Sequence, residues 1–263
     1  GATLFMTLIG GTLIAFLGVV FAQNILALLG IDPDIMHLSL PYVQWMLAGS
    51  PFLFIYIIYT SILRGVGDST TPLIASGLTI FVGLIITPVL IKGLFGFPKL
   101  GIIGPAIATT CGFMSVLFFL YNYLKRKEHP LRLCPELIQN IRYQPELTRL
   151  ILKLGIPTGV QMVTNSVAAL VIIGLINQYG SHATAAYGAV NQVLNYIQFP
   201  ALSISIAASI FAAQAIGAGK SDSLSKVTRT ALWMNIIITG SLITLAYLFS
   251  KYLMAMFITD PAV

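Results

Sequence analysis

Seven stretches of this chain are continuously apolar over the length that a bilayer-spanning helix requires. They fall at roughly residues 2–30, 38–63, 72–92, 101–124, 151–179, 184–216 and 229–257. A helix needs about 20 mostly apolar residues to cross the hydrocarbon. No water is available there, so each backbone amide must be satisfied within its own segment, and such runs are helices. The chain therefore reads as an all-α polytopic membrane protein. Composition agrees: 57% of residues are hydrophobic and 8% charged, against about 25% charged in a soluble domain. The 23 glycines and 13 prolines also suit membrane helices, where both residues are commoner than in soluble ones.

Breakers and charges gather between the runs, in Asp32-Pro33-Asp34, Arg64-Gly65-Val66-Gly67-Asp68, Phe97-Pro98-Lys99, residues 125–150, and Gly217 to Lys226. Lys and Arg decide orientation. If residues 125–150 are cytoplasmic, strict alternation puts eleven basic residues inside and three outside (Lys92, Lys99 and Lys251). Tyr121 and Tyr123 then sit at an inner interface, and Tyr179, Tyr247 and Tyr252 near outer ones, as interfacial aromatics do. The formal charge of +6 is spread over these connectors and not clustered on a soluble module, so no nucleic-acid partner is expected. Cys111 lies in an apolar run and Cys134 in the basic stretch, which makes neither a disulfide framework nor a zinc site. The chain begins without Met and without a charged segment before its first apolar run. That pattern is not a signal peptide, and the sequence reads as an excerpt of a longer protein.

The chain also repeats itself. Residues 24–35 read NILALLGIDPDI and residues 252–263 read YLMAMFITDPAV. A shift of 228 residues aligns them without gaps back to the first residue, with Leu4/Leu232, Met6/Met234, Phe21/Phe249, Asp32/Asp260 and Pro33/Pro261 among the identical pairs. The first and seventh segments are an even number of crossings apart, so the repeat unit is six helices running in parallel, an established transporter plan.

These residues resemble the MATE family, the multidrug and toxic compound extrusion transporters. Arg64-Gly65-Val66-Gly67-Asp68-Ser69-Thr70-Thr71-Pro72 is similar to the inner loop between that family's fourth and fifth helices. Gly101-Ile102-Ile103-Gly104-Pro105-Ala106-Ile107-Ala108-Thr109-Thr110 is similar to the start of the sixth, Leu154-Gly155-Ile156-Pro157 to the start of the seventh, and Gln214-Ala215-Ile216-Gly217-Ala218 to the end of the eighth. The resemblance implies about seven helices of a twelve-helix, two-bundle fold. Residues 1–124 would hold helices three to six of the N-terminal bundle. Residues 125–150 would be a basic cytoplasmic linker, and residues 151–263 would hold helices seven to nine. It implies an antiporter that exports organic, often cationic and amphipathic compounds in exchange for sodium ions or protons, by alternating access. A bacterial inner membrane, a monomer and no cofactor are the matching expectations. A flippase for lipid-linked oligosaccharides is the alternative within the same superfamily. Such proteins usually keep a cationic cavity, and no Lys or Arg stands deep in a segment here.

Ion coupling usually needs a carboxylate within the membrane, where desolvation tunes its protonation. All eight acids fall in connectors. The position where many family members carry an acid in the seventh helix is Asn165, and the Asn and Asp that one branch carries in the fifth are Gly83 and Thr87. The coupling ion therefore stays open, and no metal site is expected. The candidate cavity lining is neutral. Gln161 and Asn165 are four residues apart, and Asn191, Asn195 and Gln198 fall at i, i+4 and i+7, so each set shares one helix face. Tyr56 and Tyr59 offer rings to an organic cation. Each of these also has a packing role open to it, since amides bond between membrane helices. Pro51, Pro88 and Pro200 each delete a helix hydrogen bond, as hinges or as static kinks. Gly104, Ala108 and Gly112 form a small-residue packing stripe.

Enzyme motifs fail. Gly217-Ala218-Gly219-Lys220-Ser221 resembles a phosphate-binding loop, but Gln214 stands where the first glycine is required and the loop follows a helix. Gly65-Val66-Gly67-Asp68 resembles an intramembrane aspartyl protease motif, but no second aspartate lies within a span.

Overall fold

The computed structural model describes residues 2–28, 33–127, 144–220 and 222–250. Seven long helices carry the described residues: α1 (Ala2–Leu28), α2 (Pro33–Gly65), α3 (Thr70–Lys92), α4 (Gly104–Arg126), α5 (Pro145–Asn177), α6 (Ser181–Gly217) and α7 (Asp222–Leu248). All seven are long and apolar enough to cross a membrane. Two short 3-10 turns, Leu94–Gly96 and Gly101–Ile103, join α3 to α4. The chain divides into two compact units, Gly1–Leu152 and Lys153–Val263.

Several boundaries differ from the sequence reading. The basic stretch is shorter, because α4 runs on through Arg126 and α5 already begins at Pro145. Proline suits a first helical position, where its missing N–H costs nothing. Asp34, Glu146 and Asp222, placed in connectors by the sequence, stand in the first turns of α2, α5 and α7, where a carboxylate meets the positive end of the helix dipole. Lys226 and Arg229 likewise belong to α7, which starts earlier than residue 229. The helices run through Pro51, Pro88 and Pro200 without a break, and through Pro41 and Pro157 as well. Asp32, the Asp260-Pro261 corner of the repeat, Cys134 and most of the basic linker lie outside the described residues.

In unit 1, α1 packs on α2, and α4 packs on both α2 and α3. The face that α1 turns to α2 runs through Leu4, Thr7, Gly11, Ala15, Ala22 and Leu26, all buried and spaced by three, four or seven residues. A Cβ at Gly11 would lie 3.1 Å from the Phe54 ring and 3.4 Å from the Pro51 Cα. The buried stripe of α4 steps by four through Gly104, Ala108, Gly112, Val116, Leu120 and Leu124. It grades from small to large. At its start a Cβ on Gly104 would sit 3.1 Å from the Ile91 backbone nitrogen, and a Cβ on Gly112 would sit 3.4 Å from the Thr79 side chain. At its finish Val116, Leu120 and Leu124 interlock with Tyr59, Leu63 and Ala75 to form the core cluster. Lipid is as apolar as leucine, so close packing of this kind, more than a hydrophobic drive, holds membrane helices together.

The loop between α2 and α3 explains its own sequence. The Asp68 N–H donates to the Leu63 carbonyl (3.0 Å) and the Gly67 N–H to the Arg64 carbonyl (3.0 Å). That is a Schellman ending, and it needs a left-handed residue at Gly67, whose φ is 92°. The Asp68 carboxylate then accepts from the Thr71 N–H at 2.9 Å and from the Thr71 hydroxyl, capping α3. One residue thus closes one helix and opens the next. Asp68→Ala is expected to cost about 1 kcal/mol, read as a lower melting temperature of the purified full-length protein. Asp68→Asn should cost less, because its side-chain oxygen still accepts from Thr71. Equal losses in the two variants would count against the capping role.

Candidate functional site

The residues singled out from sequence fall on both units. In unit 1, the Ser76 hydroxyl donates to the Pro72 carbonyl at 2.9 Å. The 2.9 Å contact between Tyr56 and Ser76 is therefore a bond that Tyr56 donates, tying α2 to α3. The Tyr56 ring lies 5.4 Å from that of Phe113. Tyr59 is only 8% exposed, within the core cluster. Both tyrosines are thus built into the packing of unit 1. Gln44 reaches toward the Val19 carbonyl of α1 at 3.5 Å.

In unit 2 the amides present a different picture. Gln161 and Asn165 are exposed on α5. Among the described residues α6 and α7 pack on each other and α5 lies outside that pairing. On α6, the half-buried Asn191 donates to the Tyr187 carbonyl of its own helix (3.2 Å), while Asn195 and Gln198 are exposed. The face i, i+4, i+7 therefore exists as a row of three amides just before Pro200. Two of them carry side-chain groups that no bond among the described residues occupies.

Sequence reasoning missed Asn235. Its side chain crosses from α7 to donate to the Ala201 carbonyl of α6 at 3.3 Å, and it accepts from the Thr239 hydroxyl at 2.8 Å. The bond falls one residue after Pro200, whose ring already deprives the Tyr196 carbonyl of its usual partner. The α6–α7 seam is thus pinned beside its proline. Asn235 also lines a groove of about 290 Å³ with Ser205, Ser209 and Thr228. On the other side of the same seam an apolar groove of about 370 Å³ is lined by Ile204, Phe211, Val227 and Met234, with Lys226 at its margin. An Asn and a Thr four apart in an otherwise apolar run was the available signal.

Among the described residues no acidic side chain stands in the middle of a span. Within the described helices Asp34, Glu146 and Asp222 stand in first turns. The described residues form no group of His, Cys, Asp and Glu able to hold a metal ion. What remains in the apolar helices is a set of neutral, hydrogen-bonding side chains.

Comparison decides the family. The MatE family model matches residues 1–89 and 157–263. The chain belongs to the MATE family. The probable multidrug resistance protein YoeA of Bacillus subtilis (strain 168) is 42% identical over 260 residues, covering 99% of this chain and 56% of the relative. A FAD transporter of Shewanella oneidensis is 26% identical, covering 94% of this chain and 54% of the relative. The crystal structure of MATE in the bent conformation superposes with a TM-score of 0.85 at 20% identity, over 97% of this chain and 56% of that one. This MATE chain thus spans about half the length of the curated relatives it matches. Its seven apolar helices and its relatives make it an integral membrane protein.

Proposed function

We propose that this MATE chain is part of a secondary-active antiporter that exports organic, often cationic and amphipathic compounds in exchange for sodium ions or protons. Residues 1–124 belong to the end of one six-helix bundle and residues 151–263 to the start of the other. Residues 125–150 join them on the cytoplasmic side of a bacterial inner membrane. The two bundles rock to expose a central site to either face, and the protein works as a monomer. The observation that carries this reading is the row Asn191, Asn195 and Gln198, polar and partly exposed on a helix without mid-span charge. Neutral amides hold an organic cation by hydrogen bonding and solvation without trapping it as a fixed anion would. The name of YoeA supports the substrate class. Asn165 is exposed and cannot ionise, so the coupling group is assigned to another residue of the full protein.

The test uses the full-length protein. Cells expressing it should accumulate less of a fluorescent organic cation, and an ionophore that collapses the sodium or proton gradient should abolish the difference. No effect on any of a broad dye panel would sink the exporter reading and favour the flippase.

A further inference from the structure

The end of unit 1 where α2 and α4 finish is strongly basic. Leu63 and Leu124 share the core cluster there, which brings the next residues, Arg64 and Lys125, to one level. Arg126 and Lys127 follow on α4, and Lys125, Arg126 and Lys127 are all exposed. The Lys125 ammonium lies 5.9 Å from the centroid of the Tyr121 ring, and that of Lys127 4.8 Å from the Tyr123 ring. Each lysine therefore stands one turn beyond a tyrosine at the end of α4, where the Tyr121 ring is exposed and the Tyr123 ring packs against the core cluster. Asp68 is the acid of this corner among the described residues, and its carboxylate is engaged in capping α3. The Tyr123 hydroxyl, and more weakly Asp68, hold the proton of the Lys127 ammonium more firmly than in an ordinary lysine. Four cations thus face one committed anion at the headgroup level.

We propose that this corner of Arg64, Lys125, Arg126 and Lys127 binds the phosphate headgroups of anionic phospholipids. Each basic residue at such a surface is worth roughly fivefold in affinity. The inference is independent of what the protein transports, since it requires only that the protein lie in a bilayer.

The full-length protein is to be compared in phosphatidylcholine nanodiscs with and without phosphatidylglycerol, reading melting temperature and the lipids retained in native mass spectrometry. Phosphatidylglycerol should be retained and should raise the melting temperature, and added salt should weaken both effects. The variant Lys125→Gln/Arg126→Gln/Lys127→Gln should melt like the parent in phosphatidylcholine alone and bind phosphatidylglycerol on the order of a hundredfold more weakly. Should that variant fail to fold, Lys125→Arg/Lys127→Arg must retain the lipid effect and Arg64→Gln must reduce it. Equal stabilisation of parent and neutralised variant would overturn the proposal. So would the same stabilisation of the parent by inorganic phosphate in phosphatidylcholine nanodiscs, which would assign the corner to a soluble anion.

Discussion

Gly49→Leu is expected to destabilise the protein sharply. Gly49 is buried on α2 where it meets α4, and a Cβ built there would stand 2.2 Å from the Thr110 Oγ1 and 3.2 Å from two further Thr110 carbons. Approach at that range forces the helices apart or pushes Thr110 out of its bond to the Ala106 carbonyl. Overpacking usually costs 1–3 kcal/mol. A leucine facing a neighbouring helix at this distance belongs at the top of that range, about 3 kcal/mol, or roughly a hundredfold in the folding equilibrium constant. The cost is not recovered by moving the leucine into lipid, because close packing along the α2–α4 seam is itself the interaction that holds the helices. Gly49→Ala sharpens the test. Its methyl meets mainly the Thr110 hydroxyl, so Thr110→Ala should relieve a large part of its cost although Thr110→Ala alone removes a bond. Additive losses in that double-mutant cycle, read from thermal melts of the full-length protein, would show that Thr110 does not press on position 49 and that the crossing is loose.

The second large effect concerns transport. Replacing Asn191, Asn195 and Gln198 together by leucine should abolish most of the proposed efflux while the protein still reaches the membrane. Of the three, Asn191 bonds only to a carbonyl of its own helix, and Asn195 and Gln198 are exposed. The row therefore contributes little to packing within unit 2 and loses little when made apolar. A substrate held by it loses hydrogen bonds worth about 0.5–1.5 kcal/mol each, which over three residues amounts to at least tenfold in dye export. The matching control is Asn235→Leu. Asn235 holds α6 to α7, so its loss should lower the melting temperature more than the triple change does. A triple variant that unfolds but exports normally per folded molecule would make the amides helix glue and not cavity lining.

The membrane helices were legible in the sequence because hydropathy and length answer to one constraint, the bilayer. The small-residue stripe of α4 was legible for a related reason: glycine and alanine four apart in an apolar helix mark where backbones meet, and Gly104, Ala108 and Gly112 are buried. Helix starts were less legible. Asp34, Glu146 and Asp222 look like connector residues when charge alone is read, although the first turn of a helix is a favourable place for a carboxylate. Of the candidate site, the spacing of the α6 amides gave their shared face. The fate of the tyrosines was hidden, since aromatic residues that stack on a ligand and those that fill a core are the same residues. Only the positions of Ser76, Phe113 and Leu120 show that Tyr56 and Tyr59 are already engaged. Asn235 escaped because its importance lies in a pairing with Ala201, 34 positions earlier in the chain, which no local pattern encodes.

The grading of the α4 stripe from glycine to leucine has a mechanical side. At Gly104 the α4 main chain comes close to the backbone of Leu90 and Ile91, and backbone yields less than side chains, so the joint is stiff. Where Leu120 and Leu124 meet Leu63 and Tyr59, long side chains can exchange rotamers and absorb a displacement. Any tilting of these three rods against one another therefore has its fulcrum at the glycine end and its travel at the leucine end, beside the lysines.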